Sequence, residues 1–149
     1  MSKKLIVYYS ASGVTADKAR ALAKETGAEL FSIEPVQKYT SSDLDWMNRK
    51  SRSTLEMNDK SARPEIKETT DVSGYDTVYI GFPIWWGEAP RVINTFIDSA
   101  DLEGKTIMLF ATSGGTGIRK AVAELKKTYP ELDIAGGKLL NGRVTGDIL

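Results

Sequence analysis

The sequence predicts an α/β fold built on a parallel β-sheet, with helices on both faces of the sheet. Continuous apolar runs of strand length alternate along the chain with amphipathic helical patterns. Strands that are apolar throughout are covered on both faces, and their alternation with helices is typical of βαβ units. The length of 149 residues fits one domain with a single core. We therefore expect residues 1–149 to form one three-layer domain.

The first half of the pattern holds a strand, a helix and a second strand. Leu5–Tyr9 is a continuous run of aliphatic and aromatic residues, which predicts a strand. The helical pattern after it keeps its apolar residues on one stripe and ends at Gly27, a residue suited to a helix C-terminus. Ala28–Ile33 then predicts the second strand, which Pro35 closes.

The second half repeats this alternation. Asp76–Phe82 predicts the third strand, and a helical stripe follows Pro90, which suits a first helical position. Lys105–Ala111 predicts the fourth strand. A further helix, ended by Pro130, separates it from a short fifth strand predicted at Leu132–Ala135.

Two regions depart from the alternation. Residues 36–70 are polar, and their scattered apolar residues predict one exposed helix within Asp43–Asn58. The chain given ends at Leu149, soon after the fifth strand, so we expect the final helix of such a domain to be missing or truncated. A sheet face left bare in this way would favour pairing of two chains, and we expect a monomer or a homodimer.

The composition excludes several kinds of site. The chain has no Cys and no His, which rules out thiolate zinc sites, iron–sulfur clusters and Ser-His-Asp triads. The 20 basic residues balance 20 acidic ones, so we expect no nucleic-acid partner. No segment approaches the ~20 apolar residues that cross a bilayer. We expect no metal site, no membrane partner and a cytoplasmic location.

Three loops follow predicted strands and should meet at one edge of the sheet, where α/β proteins bind ligands. The first loop, Ser10–Thr15, offers hydroxyls, a glycine and the free N–H groups of a helix start. Such a loop can hold a phosphate without a basic residue. Ser12 could equally serve only as a helix cap. The P-loop and dinucleotide-binding glycine spacings are both absent.

The second and third loops supply an aromatic group and exposed backbone. The second loop, Gly81–Glu88, carries two adjacent tryptophans between a proline and a glycine. We expect at least one indole to be exposed there, where it could stack on a flat ring. The third loop, Thr112–Gly117, has three glycines in four positions, which leave backbone amides accessible. Together the loops describe a site for a phosphorylated planar cofactor.

These motifs resemble those of the flavodoxin family, and most closely a small flavodoxin-like branch with a Pro-Ile-Trp-Trp-Gly loop. The resemblance covers residues 5 to about 142. It also includes Met57-Asn58-Asp59 leading to Ala62-Arg63-Pro64. The resemblance implies a doubly wound five-stranded sheet in the order 2-1-3-4-5, with FMN as the cofactor.

The same resemblance implies which residues bind the cofactor. The phosphate would be held by Ser10, Ser12, Gly13, Val14 and Thr15. One wall of the flavin site would be formed by Pro83, Ile84, Trp85, Trp86 and Gly87, and the other by Thr112, Ser113, Gly114, Gly115 and Gly117. Gly87 matches the glycine whose peptide can turn its carbonyl toward the flavin N5–H.

The function that the resemblance implies is electron transfer, with the flavin cycling between its oxidised, semiquinone and hydroquinone states. Redox proteins or a small planar acceptor would be the partners. The alternative is an NAD(P)H-dependent reductase of quinones or other flat acceptors. A binding module that kept the fold without the flavin stays open, whereas a phosphoacceptor receiver domain is excluded because the acidic residues it needs at the strand ends are absent. Flavodoxins that carry electrons between enzymes are usually acidic, and this chain is neutral.

Overall fold

The computed structural model describes residues 3–11, 13–45, 47–112 and 117–140. Its strands form a five-stranded parallel sheet in the order β2-β1-β3-β4-β5, which confirms the predicted fold class and strand order. The strands are β1 (Lys4–Tyr8), β2 (Glu29–Ser32), β3 (Thr77–Pro83), β4 (Thr106–Thr112) and β5 (Asp133–Leu139). The helices are α1 (Val14–Thr26), α2 (Arg52–Met57), α3 (Arg91–Ser99) and α4 (Arg119–Thr128).

The core lies on both faces of the sheet because successive strand residues point to opposite sides. Leu5 and Val7 of β1 belong to the larger cluster, which also contains Phe96 of α3 and Leu125 of α4. Ile6, between them, belongs to the smaller cluster on the α1 side. Helices therefore cover both faces, as strands without a polar face require.

Local signals set the helix boundaries. Gly27 adopts φ 72° directly after α1 and donates its N–H to the carbonyl of Ala23 at 2.8 Å, as expected for a glycine that ends a helix. Pro90, predicted as the first helical residue, lies instead at the N-cap of α3, one position before its first residue, Arg91. Differences of one residue are usual at helix ends.

The prediction for the fifth strand was too short. Leu132–Ala135 was expected, but β5 continues through two glycines to Leu139. A Cβ on Gly137 would lie 2.8 Å from Val122 and 3.2 Å from Leu109, so the close packing of α4 on this strand requires a glycine. The apolar pattern is interrupted at Gly137 because α4 approaches the strand closely there, and not because the strand ends.

One helix lies within Asp43–Asn58, as predicted, but this helix, α2, is only six residues long and is partly buried rather than exposed. Side chains before it hydrogen-bond to nearby backbone and favour turns. Asp45 and Asn48 each accept a backbone N–H two residues later, at 3.1 and 2.9 Å. Such bonds compete with helix formation, which starts only where Ser51 caps α2 by accepting the Thr54 N–H at 3.4 Å.

Residues 141–149 lie outside the described part of the chain, and with them the prediction about the final helix. Among the helices of the described ranges, none combines the length and the apolar character needed to span a membrane.

Candidate functional site

The three loops predicted to carry chemistry lie at the carboxyl edge of the sheet and are tied together there. The Tyr9 N–H donates to the carbonyl of Gly81 at 3.0 Å, and the Ile84 N–H donates to that of Thr112 at 3.1 Å. The hydroxyls of Thr15 and Thr112 share a buried hydrogen bond of 2.7 Å. Each of the three strand ends is thus bonded to another, and this edge is a single connected surface.

The first loop presents the start of α1. Gly13 occupies the N-cap at φ 95° and donates its N–H to Ser10 Oγ at 3.0 Å. Having no side chain, Gly13 brings no side-chain acceptor to the first helical turn. The amides of that turn and the positive end of the helix dipole suit an anionic group. Val14 is exposed, Thr15 is buried, and Ser12 lies outside the described residues.

The second loop is a tight turn that exposes one indole. The N–H of Trp85 donates to the carbonyl of Glu88 at 2.9 Å, and a reciprocal bond of 2.9 Å closes the turn. The two central residues, Trp86 at φ 52° and Gly87 at φ 80°, both have positive φ, as in type I′ turns. A bulky residue rarely adopts that conformation. The turn leaves Trp86 41% exposed.

Trp85 has a different environment from its neighbour. Its half-buried indole meets the ring of Tyr9 edge-on, with centroids 5.9 Å apart, and the ring of Tyr39 likewise at 5.3 Å. These are favourable edge-to-face arrangements. Trp85 therefore packs against the protein, while Trp86 offers a flat apolar face at the edge.

Tyr39 is held in turn by two charged residues of α2. Its hydroxyl donates to the Glu56 carboxylate, and the Arg52 guanidinium lies 3.8 Å above its ring centroid. Arg52 also donates to Glu56 at 2.9 Å. Burial raises the pKa of the Tyr39 hydroxyl well above its usual value, and the hydrogen bond to Glu56 raises it further.

The other end of the turn is held by charges from two helices. The largely buried Glu88 carboxylate lies 3.4 Å from the Arg91 guanidinium and 3.6 Å from the Lys120 ammonium. Lys120 also donates to the carbonyl of Trp86 at 3.4 Å, and Arg91 donates to that of Met57 at 2.9 Å. Sequence reasoning missed the pairing of Lys120 with Glu88 and the contact of Tyr39 with Trp85, because no motif links residues so distant in the chain.

The third loop is described only at its ends. Thr112 is buried beneath the first loop, and Gly117 is exposed just before α4. Ser113, Gly114 and Gly115 lie outside the described residues. All of the predicted site residues that the structure describes lie at this edge: Ser10, Gly13, Val14, Thr15, Pro83, Ile84, Trp85, Trp86, Gly87, Thr112 and Gly117.

The edge fits the predicted kind of ligand. One loop presents an exposed indole, and another presents a helix start that has no side-chain cap at Gly13. Both loops are hydrogen-bonded to Thr112. This arrangement suits a planar group that carries a phosphate. Within the described residues, acidic side chains form no group of three that could hold a metal ion.

The sequence matches the family described as Flavodoxin over residues 3–149. This chain belongs to the flavodoxin family. Comparison with curated proteins gave no match.

Solved structures of similar proteins agree with the flavodoxin assignment. A provisionally named flavoprotein from Bacteroides eggerthii DSM 20697 is 51% identical, with 98% of this chain and 92% of that chain covered and a TM-score of 0.95. Another from Bacteroides uniformis ATCC 8492 is 45% identical, with 99% and 95% covered and a TM-score of 0.94. A flavoprotein from Lactobacillus acidophilus NCFM, solved in complex with FMN, is 25% identical over 93% of each chain, with a TM-score of 0.78.

Proposed function

We propose that this protein binds FMN at the carboxyl edge of its sheet and serves as an electron-transfer protein. The observation that carries the proposal is the exposed indole of Trp86, held at the same edge as the helix start of α1. The flavoprotein from Lactobacillus acidophilus, which shares this fold and was solved with FMN, supports the choice of cofactor.

The predicted site residues have distinct roles in this proposal. The phosphate is held by the first loop, through the hydroxyls and amides of Ser10, Ser12, Gly13, Val14 and Thr15. The second-loop residues Pro83, Ile84, Trp85, Trp86 and Gly87 would form one wall of the flavin site, and the third-loop residues Thr112, Ser113, Gly114, Gly115 and Gly117 would form the other. The Pro-Ile-Trp-Trp-Gly sequence would then mark a branch of the family with this wall.

Bound FMN supplies the redox chemistry, because its ring takes up electrons that protein side chains cannot. The protein excludes water and sets the electrostatics around the ring. The electron-rich face of Trp86 opposes negative charge placed over it. We therefore expect a low reduction potential, and removing the indole in Trp86→Ala should raise it.

An electron carrier is favoured over an NAD(P)H-dependent reductase because no sequence motif for a nicotinamide site is evident. The neutral net charge distinguishes this chain from acidic carriers and fits a partner that is not strongly basic. Redox proteins remain the proposed partners, with a small planar acceptor as the alternative. The two functions differ in whether reduced nicotinamide is oxidised directly.

The deciding experiment is a titration of the apoprotein with FMN, followed by quenching of flavin fluorescence. We expect one-to-one binding with strong quenching, and Trp86→Ala should weaken affinity about tenfold through the loss of ~1.4 kcal/mol of stacking. Leu30→Ala is the matched control, since Leu30 and Trp86 are both 41% exposed. No quenching with the wild-type protein would refute the proposal.

A second assay separates the carrier from the reductase. The FMN-loaded protein is mixed with NADPH or NADH and a quinone, and nicotinamide absorbance is followed. A carrier should oxidise neither nicotinamide at a rate above that of free FMN. Rapid, saturable oxidation that depends on the quinone would instead establish the reductase.

A further inference from the structure

The turn that exposes Trp86 rests on a segment that the sequence marks only as polar. Residues 36–70 contribute Tyr39, Arg52 and Glu56, which we call the Tyr39 cluster. Its phenol contacts the indole of Trp85 at one end of the turn, with ring centroids 5.3 Å apart. The segment therefore reaches the candidate FMN site through an aromatic contact.

The Tyr39 cluster is fixed by several interactions at once. Arg52 stacks on the phenol ring at 3.8 Å, donates to Glu56 at 2.9 Å and donates to the carbonyl of Gln37 at 2.7 Å. The Tyr39 hydroxyl donates to the same carboxylate. The side chains of Arg52 and Glu56 are only 18% and 14% exposed. Charges this far from water are stable only when paired, so the cluster strongly favours one arrangement.

The segment itself is anchored to the body of the domain. The buried Arg91 of α3 donates to the carbonyls of Glu56 and Met57, at 3.3 and 2.9 Å. Thr95 of the same helix donates to the carbonyl of Pro64 at 2.8 Å. The phenol of Tyr39 is thus connected to a core helix and not to a freely moving loop.

The connection to the exposed indole runs through backbone. Trp85 supplies both the N–H and the carbonyl that close the turn with Glu88. A shift of Trp85 would therefore shift the turn and with it Trp86. Tyr39 and Tyr9 are the two aromatic rings that contact Trp85 edge-on among the described residues.

We propose that Tyr39 is a positioning residue, which fixes the Trp85 end of the turn and so sets the orientation of Trp86 at the flavin site. The effect on FMN rests on the proposed function. The fixing of Trp85 is a property of the protein without FMN and is tested separately.

The first measurement uses the apoprotein with Trp85 as its single tryptophan, obtained by Trp46→Phe and Trp86→Phe in the 149-residue chain, which has three tryptophans. Acrylamide quenching of its emission reports the accessibility of the indole. Tyr39→Leu should raise the quenching constant at least about two-fold, because the lost ring leaves a cavity beside the indole. Tyr39→Phe keeps the ring and should give a smaller increase.

Tyr75 provides the matched control. Its hydroxyl also donates to a glutamate, Glu29, but the pair lies at the opposite end of the strands, just before β3 and at the start of β2. Tyr75→Leu and Tyr75→Phe should leave the quenching constant of Trp85 unchanged. An equal rise in the Tyr75 variants would show general loosening and overturn the positioning role.

The second measurement is FMN affinity with all three tryptophans present. Tyr39→Leu should weaken binding about three- to tenfold, because the loosened turn must then be ordered when FMN binds, and Tyr39→Phe should restore most of the affinity. Failure of the wild-type protein to bind FMN would refute the proposed function, while the quenching measurement still decides the role of Tyr39.

An unchanged quenching constant in a folded Tyr39→Leu variant would overturn the inference. Far-ultraviolet circular dichroism of the variant checks that it is folded. Should Tyr39→Leu fail to fold, Tyr39→Phe and Glu56→Gln replace it. Tyr39→Phe removes the hydrogen bond that holds the phenol, and Glu56→Gln weakens it by removing the charge of the acceptor, so both should raise the quenching constant. No increase in either would equally overturn the role.

Discussion

The hydroxyl pair between Thr15 and Thr112 gives the sharpest test of how the candidate site is held together. The two oxygens lie 2.7 Å apart and join the first helix to the end of β4. Both residues are almost wholly buried, at 2% and 4% exposure. The pair is therefore a direct link between two of the loops assigned to the cofactor.

Replacing one threonine by valine keeps the shape and removes one hydroxyl. The other hydroxyl is then buried without its partner, which costs ~1–3 kcal/mol. We expect Thr15→Val and Thr112→Val each to lower the free energy of unfolding by about 2 kcal/mol. The double variant leaves no orphaned hydroxyl and should lose ~1 kcal/mol or less, because removing both partners is nearly neutral.

The assay is urea unfolding of the four apoproteins, followed by circular dichroism. With a urea slope of ~2 kcal/mol per molar, each single variant should shift its midpoint down by about 1 M. The double variant should lie near the wild type. Thr69→Val is the control, since its hydroxyl accepts a 3.4 Å hydrogen bond from Ser99 at an exposed position, and we expect a change within ~0.5 kcal/mol.

Additive effects of the two substitutions would contradict a direct link between these hydroxyls. If the double variant loses as much stability as the two single variants together, the hydroxyls do not depend on each other. The link between the first and third loops would then rest on other contacts.

Three further predictions follow from the turn and from α4. Gly87→Ala places a side chain at φ 80° and 3.0 Å from Lys120, so it should destabilise the protein by ~1–2 kcal/mol in urea unfolding, and an unchanged midpoint would contradict the strained turn. Arg91→Met leaves the largely buried Glu88 with one weaker partner and should cost ~3 kcal/mol by the same measurement, whereas a loss under ~1 kcal/mol would show that the pair contributes little. Burial chiefly raises the pKa of Tyr129 from 10.0 to about 12, so its neutral form stabilises the fold fully below pH 10, and that contribution is lost as the pH rises toward 12. The free energy of unfolding, measured with urea at several pH values across this range, should fall less steeply with pH for Tyr129→Phe than for the wild type. Identical slopes against pH would contradict the raised pKa.

Much of the fold could be predicted because its signals are local. Leu5–Tyr9 and Lys105–Ala111 are apolar throughout, since the central strands of a parallel sheet face helices on both sides. Gly27 and Pro130 mark helix ends by their backbone preferences alone. The position of the three loops then follows from parallel topology, which brings all strand ends to one edge.

The parts that could not be predicted depend on contacts distant in sequence. Tyr39 meets Trp85 and Glu56 only after the chain has folded, and its one sign in the sequence was an aromatic residue within a polar segment. Arg52 belongs to the segment that the sequence shows only as polar, yet its guanidinium is stacked on the Tyr39 ring. The full length of β5 was not evident because Gly137 interrupts its apolar pattern, and close packing of α4 at that position excludes larger residues.

The main-chain ties between the loops bear on how this site could be altered. The hydrogen bonds from Tyr9 to Gly81 and from Ile84 to Thr112 use only backbone atoms, so most side-chain substitutions at these positions should leave them in place. The frame of the edge is therefore largely independent of the groups it displays. A library that varies exposed positions such as Val14 and Trp86 could redirect the site toward other flat, anionic ligands on an unchanged scaffold.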